Sequence, residues 1–386
     1  MPIPSYCPNS GCQNHIHPSA HWLDRYGSYQ TLAHGTVRRY RCRGCGATVS
    51  DQTESLHYYA KRRLPLGEVS TSLAGGACLR EVARRYRVSP MALQSGVLRL
   101  GRQSMAAQMV MLSRLNERKT LVFDGLRSFV TAQDYPCDIT TVVDRGGETI
   151  LTMIHSIFRR GGRMTPTQRK RVEQKYRVWK PRRGSMSNDI SLLVDELWDY
   201  LRPPVPSRPG KRARIDTDEN PLYHRLLSQN PLMRHFRRAG CIVHGRTSSR
   251  VPRTKENPLF PVNYVDRLLR HREKEHTRET IAFGRHAVMQ MHRAWHFAWE
   301  HNCRREHRVR RPLAGVHAEQ ASVSSVVVHE ITNEFFERRI RLRGVAAPRS
   351  IREVWLGELP TPPIRWKKGQ RGTSVSVPGY ARRDLA

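Results

Sequence analysis

The chain has 386 residues, enough for two to three domains, one with a sizeable core. It carries 67 Lys+Arg against 33 Asp+Glu, a formal charge of +34 spread from Arg38–Arg43 to Arg382–Arg383. That points to extended contact with a polyanion through salt-sensitive binding, while no apolar run reaches membrane-spanning length and Met1-Pro2-Ile3-Pro4 lacks signal-peptide architecture, so a cytoplasmic protein is expected. Arg dominates over Lys, which suits bidentate phosphate contacts and equally fits a GC-rich genome.

The first element, over residues 1–55, is a predicted zinc ribbon. Cys7 and Cys12 bracket four residues, and Cys42 and Cys45 bracket two. Each pair lies on a turn rich in Gly, Pro or Asn, the pattern of a tetrathiolate zinc site that staples a segment too small for a core. His15, His17 and His21 are alternative ligands nearby. Arg38, Arg39, Arg41 and Arg43 would present positive charge to DNA. The remaining Cys78, Cys137, Cys241 and Cys303 read as small apolar residues in a reducing compartment.

Residues 56–118 follow a trihelical pattern. Leu66, Val69 and Leu73 share one face, Gly75-Gly76 breaks the helix, and Leu79, Val82, Ala83 and Tyr86 form a second stripe. Ser89-Pro90 supplies a cap and a first-turn proline for a third helix through Leu93, Val97 and Leu100. The spacing is that of a helix-turn-helix, with Met91, Gln94, Ser95, Arg99 and Arg102 facing away from the apolar stripe toward a DNA groove. An ordinary three-helix bundle is the alternative.

Residues 119–303 alternate strand and helix signals. Strands are expected at 120–124, 139–144 and 148–154, with an Asp144-Arg-Gly-Gly hairpin turn; an antiparallel meander whose first strand carries an acid is how an RNase H-like core begins. A basic insertion occupies about 159–210, and its Arg159–Arg183 block has eleven Lys/Arg and the single acid Glu173. Residues 188–201 read as an amphipathic helix. A Pro-rich link, Arg202 to Gly210, leads to a strand carrying Asp216 and Asp218, and Cys241-Ile-Val243 reads as a further strand. A helix after Asn263 would set Asp266, Arg270 and Glu273 on one face, with Arg270 as a phosphate contact. Val288, Met291, Trp295 and Ala298 form a core stripe. Residues 304–386 are a basic, Pro-punctuated extension in which Trp355 and Trp366 are candidate anchors.

The expected architecture is therefore α/β and multidomain, with a mixed sheet flanked by helices in the RNase H-like part. Asp124, Asp218 and Asp266, from two strands and a helix, are what a two-metal phosphoryl-transfer site needs, because Mg2+ takes oxygen ligands and two such ions clamp the attacking and leaving oxygens of a phosphodiester. The chain resembles bacterial insertion-sequence transposases of the DDE type, near the insertion-sequence-one group. The likeness rests on YRCRGCGATVSDQT with the following HYYAKRR, the Thr217-Asp218-Glu219-Asn220-Pro221 turn with Tyr223, and NPLFPVNYVDRLLR followed by RETIAFGR (Arg278 to Arg285). It spans roughly residues 7–303. It implies strand cleavage and strand transfer at terminal inverted repeats, with double-stranded DNA as partner, catalytic Mg2+ (or Mn2+), structural Zn2+, a homo-oligomer on DNA and a nucleoid-associated location. By motif Asp124 is the first acid and Asp218 the second, with Asp216 its rival. The group places a Glu where this chain has Asn263, so the third acid is Asp266 or Glu273, or the copy is inactive. The other readings are a non-catalytic DNA-binding regulator, whose acids only pair with arginines, and an RNase H-like nuclease without strand transfer.

Overall fold

The computed structural model describes residues 3–115, 119–206, 210–277, 284–308, 310, 314–342, 345–364 and 374–385. Arg278–Phe283 of the RETIAFGR motif and Trp366 lie outside them. Near the N-terminus a short helix α1 (Gln13–Ile16) precedes an antiparallel sheet of β1 (Leu23–Thr31), β2 (Gly35–Cys42) and β3 (Thr48–Ser50). Too small for a large core of its own, this sheet gathers Trp22, Tyr40 and Val49 around Cys7, Cys12 and Cys42.

Helices α2 (Leu66–Ala74), α3 (Leu79–Arg85) and α4 (Pro90–Ser113) follow. The Ser89 hydroxyl accepts from the Ala92 amide and Pro90 opens α4, the cap expected from the sequence. The length of α4 was not expected. Every residue from Leu100 to Met109 is buried, so this stretch has no face toward solvent, and its polar Arg102, Gln103, Ser104 and Gln108 are bonded inside the protein. Gly101 is required there, because a Cβ would lie 2.3 Å from the His292 ring of a crossing helix.

The main sheet comprises β4 (Thr120–Val130), β5 (Ala132–Asp144) and β6 (Ile150–Ile157), then β7 (Ala213–Asp218) and β8 (Ile242–Thr247), in the order β6-β5-β4-β7-β8. β4, β5 and β6 run antiparallel to one another, whereas β7 pairs parallel with β4 and with β8, making the sheet mixed. The expected first strand is more than twice its predicted length and turns directly into β5 at Thr131, which adopts φ 61°. Between β6 and β7 lie α5 (Pro166–Val178), α6 (Ser185–Glu196) and α7 (Trp198–Leu201). α8 (Pro221–Gln229) and α9 (Pro231–Arg238) separate β7 from β8.

Strand alternation sends Leu121, Phe123 and Ile215 into a core shared with α4, α6 and α8. Val122, Leu126, Ile139 and Val143 enter a second core on the other face, under α10 (Phe260–Arg272) and α11 (Ala287–Trp299). α11 is buried along its whole length and continues into one π-helical turn, Glu300–Arg304. The C-terminal part forms α12 (His317–Gln320), α13 (Ser325–Glu337), α14 (Arg349–Trp355) and α15 (Gly379–Arg383). It is no loose tail: Phe335 stacks on Trp299 with ring centroids 3.4 Å apart, and Trp355 is buried in the second core. Among the described residues no helix is long and apolar enough to cross a membrane.

Candidate active site

The four N-terminal cysteines meet. Cys7 Sγ is 3.4 Å from Cys45 Sγ and Cys12 Sγ is 3.7 Å from Cys42 Sγ, and all four sulfurs lie within 4.8 Å of one another. Burial raises the Cys7 thiol, whereas the Ala47 backbone N–H is the main influence holding Cys45 down at about 7. Four converging thiols on two turns suit zinc, which takes thiolates in a closed tetrahedral set. The Asn14 side chain donates to Cys42 Sγ, supporting the set from outside. The three nearby histidines stay out of it: His15 binds the Cys7 carbonyl through Nδ1, and His17 and His21 are exposed.

Asp124 and Asp218 stand at equivalent positions on neighbouring parallel strands. The register pairs Phe123 with Thr217, so each acid is the next residue along and the two share a face, Asp124 midway along β4 and Asp218 at the carboxyl end of β7. Asp124 accepts from the Gly125 amide at 2.7 Å and Asp218 from the Asn220 amide at 2.9 Å. Asn220 also caps α8, which explains the Asn-Pro after this strand. Burial, then the charge of Asp218, raises the Asp124 carboxyl to about 7. Asp266, from α10, is raised well above the usual range, first by burial and then by Asp124 and Asp138, with Arg270 and Arg253 opposing. Its Oδ1 is sealed from solvent with no hydrogen-bond partner. The three carboxylates thus act on one cluster, although they are not all within 4.8 Å of one another.

Both rival acids are engaged elsewhere. Asp216 is fully buried between Arg214 at 2.8 Å and Arg145 at 3.2 Å. Glu273 is beyond the end of α10, not on its face with Asp266, and its carboxylate pairs with Arg293 of α11.

Two residues of the cluster escaped sequence reasoning. Asp138 of β5 lies opposite Arg127, ion-paired to it at 3.2 Å; burial raises its carboxyl, Arg127 and the Thr140 hydroxyl oppose, and Asp218 adds to the rise. Gly125 makes room for it, since a Cβ there would sit 2.4 Å from the Asp138 carboxylate. The signal was an acid within the otherwise apolar run of a buried strand. Arg253, in the loop before α10, offered none. Tyr223 of α8 packs edge-on to Phe123 at 4.9 Å and feels Asp138, Asp124 and Asp218.

The expected DNA contacts divide. Arg38, Arg39, Arg41 and Arg43 are exposed; Arg39 and Arg41 lie over the Tyr26 ring, and Arg43 pairs with Asp24 at 2.7 Å. Ser95 is exposed and Gln94 half-buried at the start of α4. Arg99 and Arg102 do not face a groove, which corrects the helical-wheel reading. Arg99 donates to the Leu56 and Tyr58 carbonyls, and Arg102, 6% exposed, donates to the Trp355 carbonyl. Arg270 is half-buried and within 3.5 Å of the His276 and Arg127 carbonyls. In the basic insertion, Arg160, Arg171 and Lys175 neutralise the buried Asp134, while Arg163, Arg169, Lys170, Arg177, Lys180, Arg182 and Arg183 remain exposed.

No family model, no curated protein and no solved structure matches the chain.

Proposed function

We propose that the chain is a DNA transposase of the DDE/DDD type that binds the terminal inverted repeats of an insertion element and catalyses metal-dependent strand cleavage and strand transfer. The observation that carries this is a contrast among the acids. In the regulator reading, carboxylates exist to pair with the abundant arginines, and Asp134, Asp138, Asp216 and Glu273 do so. Asp124, Asp218 and Asp266 come from three elements and form no ion pair among the described residues, yet each is close enough to a neighbour for their charges to interact. Like charges held together under burial are unfavourable unless a cation joins them. The strand order, an antiparallel meander extended on its first strand by two parallel strands, is the RNase H-like order and supports the reading.

Asp124, Asp218 and Asp266 would hold Mg2+, an all-oxygen set suited to that hard cation. The ion supplies charge neutralisation at the scissile phosphate and activation of the attacking water or 3′-hydroxyl. The protein's part is to fix the acids. The Gly125 and Asn220 amides orient the carboxylates of Asp124 and Asp218, and α10, packed on β4 and β5, carries Asp266. Exposed arginines around the N-terminal cysteine cluster, the start of α4 and the basic insertion would carry the DNA. Structural Zn2+ fits the four cysteines, and the DNA-bound form would be a homo-oligomer.

The test uses the full chain and duplexes carrying the inverted repeats that flank its coding sequence. Asp124→Asn, Asp218→Asn and Asp266→Asn should each lower Mg2+-dependent cleavage by about three orders of magnitude, with end binding retained. Asn263→Ala should leave cleavage intact. Wild-type cutting by the Asp124 or Asp218 variant would refute the site, and cutting by the Asp266 variant would remove its third corner. Cleaved but never joined ends would favour a nuclease.

A further inference from the structure

A second cluster of metal-binding groups lies apart from both the cysteines and the acids. Glu148, His307 and His317 each offer one ligand atom, and these atoms all lie within 4.8 Å of one another. We propose that this is a His-His-Glu site for a zinc-class divalent ion, which clasps the C-terminal part of the chain to the main sheet.

The three residues come from separate places. Glu148 is in the β5–β6 turn, on a left-handed backbone at φ 54°, a conformation that costs a residue with a Cβ about 1 kcal/mol or more. His307 lies beyond the π-helical turn, and His317 is the first residue of α12. Glu148 is 4% exposed and His317 fully buried. His317 Nδ1 is 2.8 Å from the Gly147 carbonyl, to which it can only donate, so Nε2 carries the lone pair. That Nε2 is buried with no hydrogen-bond partner, and so is His307 Nε2, 3.9 Å from Glu148 Oε2. Two orphaned ring nitrogens converging on a buried carboxylate are unfavourable unless something fills the space between them.

The surroundings suit an ion rather than a proton. With Nδ1 donating to the Gly147 carbonyl, His317 presents the bare Nε2 of a neutral imidazole, the form that binds metal. Outside the ligand set, His301 stacks on His317 with centroids 3.9 Å apart and binds the Glu148 carbonyl through Nε2 at 2.9 Å. Arg308 holds both oxygens of Glu148 at 3.0 Å, and its half-exposed side chain is free to keep Oε1 alone when Oε2 serves the ion. Two neutral imidazoles and one carboxylate with an open fourth position suit Zn2+, whereas Mg2+ prefers oxygen throughout. The close seat of the strap is already built. Gly147 packs so tightly on it that a Cβ would come within 2.9 Å of the Ala321 nitrogen and 3.0 Å of the His317 carbonyl.

The test is metal stoichiometry on the full chain, loaded with Zn2+ in excess Mg2+, desalted and measured by elemental analysis. Two equivalents are expected, falling to one in Glu148→Gln, in His307→Ala with His317→Ala, and in Cys42→Ser with Cys45→Ser. Co2+ separates the sites, because thiolate charge-transfer absorption should persist in the Glu148 and His variants and vanish in the Cys variant. Circular dichroism of the conservative Glu148→Gln chain guards against reading misfolding as ligand loss. A single equivalent lost only with the cysteines would overturn the site, as would two equivalents indifferent to Glu148, His307 and His317.

Discussion

Asp124 and Asp216 occupy adjacent inner strands of one sheet, yet their surroundings make them chemical opposites. Asp216 is ion-paired with Arg145 and Arg214, and the pair with Arg145 ties β7 to the β5–β6 turn. Asp124 has no such partner, and burial with Asp218 beside it sets its carboxyl at about 7. The folded state therefore holds that proton more tightly than the unfolded chain does. Its contribution to stability is fully present below the ordinary carboxylate range and is lost as pH rises through about 7. Relative to Asp124→Asn, the wild type without divalent metal should lose stability between about pH 4 and pH 7, on the order of 1 kcal/mol or more. Because Mg2+ needs the carboxylate, its stabilising effect should grow over the same interval. Thermal denaturation at several pH values, with and without Mg2+, checks both signs; parallel curves for the two proteins would show that Asp124 titrates normally.

At the scale of elements, α4 separates what local sequence dictates from what distant packing decides. Its start was legible in Ser89-Pro90 and the Leu93, Val97, Leu100 stripe, because caps and periodicity are local. Its second half was not. Arg102, Gln103, Ser104 and Gln108 read as a solvent face there, yet they are buried, and the partners that cover this stretch, α11 and α13, lie far along the chain. Arg102 was misplaced for the same reason: a wheel drawn on α4 alone turns it outward, while Trp355 supplies a carbonyl that turns it inward. Arg102→Ala should thus lower stability by about 1–3 kcal/mol, seen as an earlier chemical denaturation midpoint, whereas Gln94→Ala should weaken DNA binding without moving that midpoint. The reverse outcome would return Arg102 to the DNA face. In the acid cluster, Asp124 stands out because a short apolar run ends on it, and Asp218 because an Asn-Pro turn follows its strand. Asp138 does not, since its role depends on the β4–β5 register, and Glu273 was misread because α10 stops at Arg272.

For the molecule as a whole, the C-terminal part is where the sequence was least informative. Residues 304–386 look like a basic extension, yet they complete both cores and reach the N-terminal segment. Arg339 donates its amide to the Glu54 carbonyl at 2.6 Å, Arg341 lies over the Tyr6 ring at 3.6 Å, and the Trp355 indole donates to the Ala381 carbonyl. Such contacts between sequence-remote segments leave no local pattern to find. Phe335→Ala, which removes the ring stacked on Trp299, should cost about 3–5 kcal/mol and lower the melting temperature of the entire protein in one transition. A separate low-temperature transition that leaves the main sheet intact would mean this part is only an appendage.

The burial of α4 makes it a measuring rod. One end would lie against DNA and the other contributes to both cores that flank the sheet carrying the acids, with no tether between them. Its 24 residues span about 36 Å, close to one turn of duplex at about 34–36 Å. A reader joined to a cutter by a stiff rod cannot absorb extra length. Base pairs inserted between the recognised sequence and the element's end should therefore shift the cut by the same number of base pairs, as sequencing of the cleaved ends would reveal. Cuts that stay at the original terminus would place a hinge where the structure has a continuous helix.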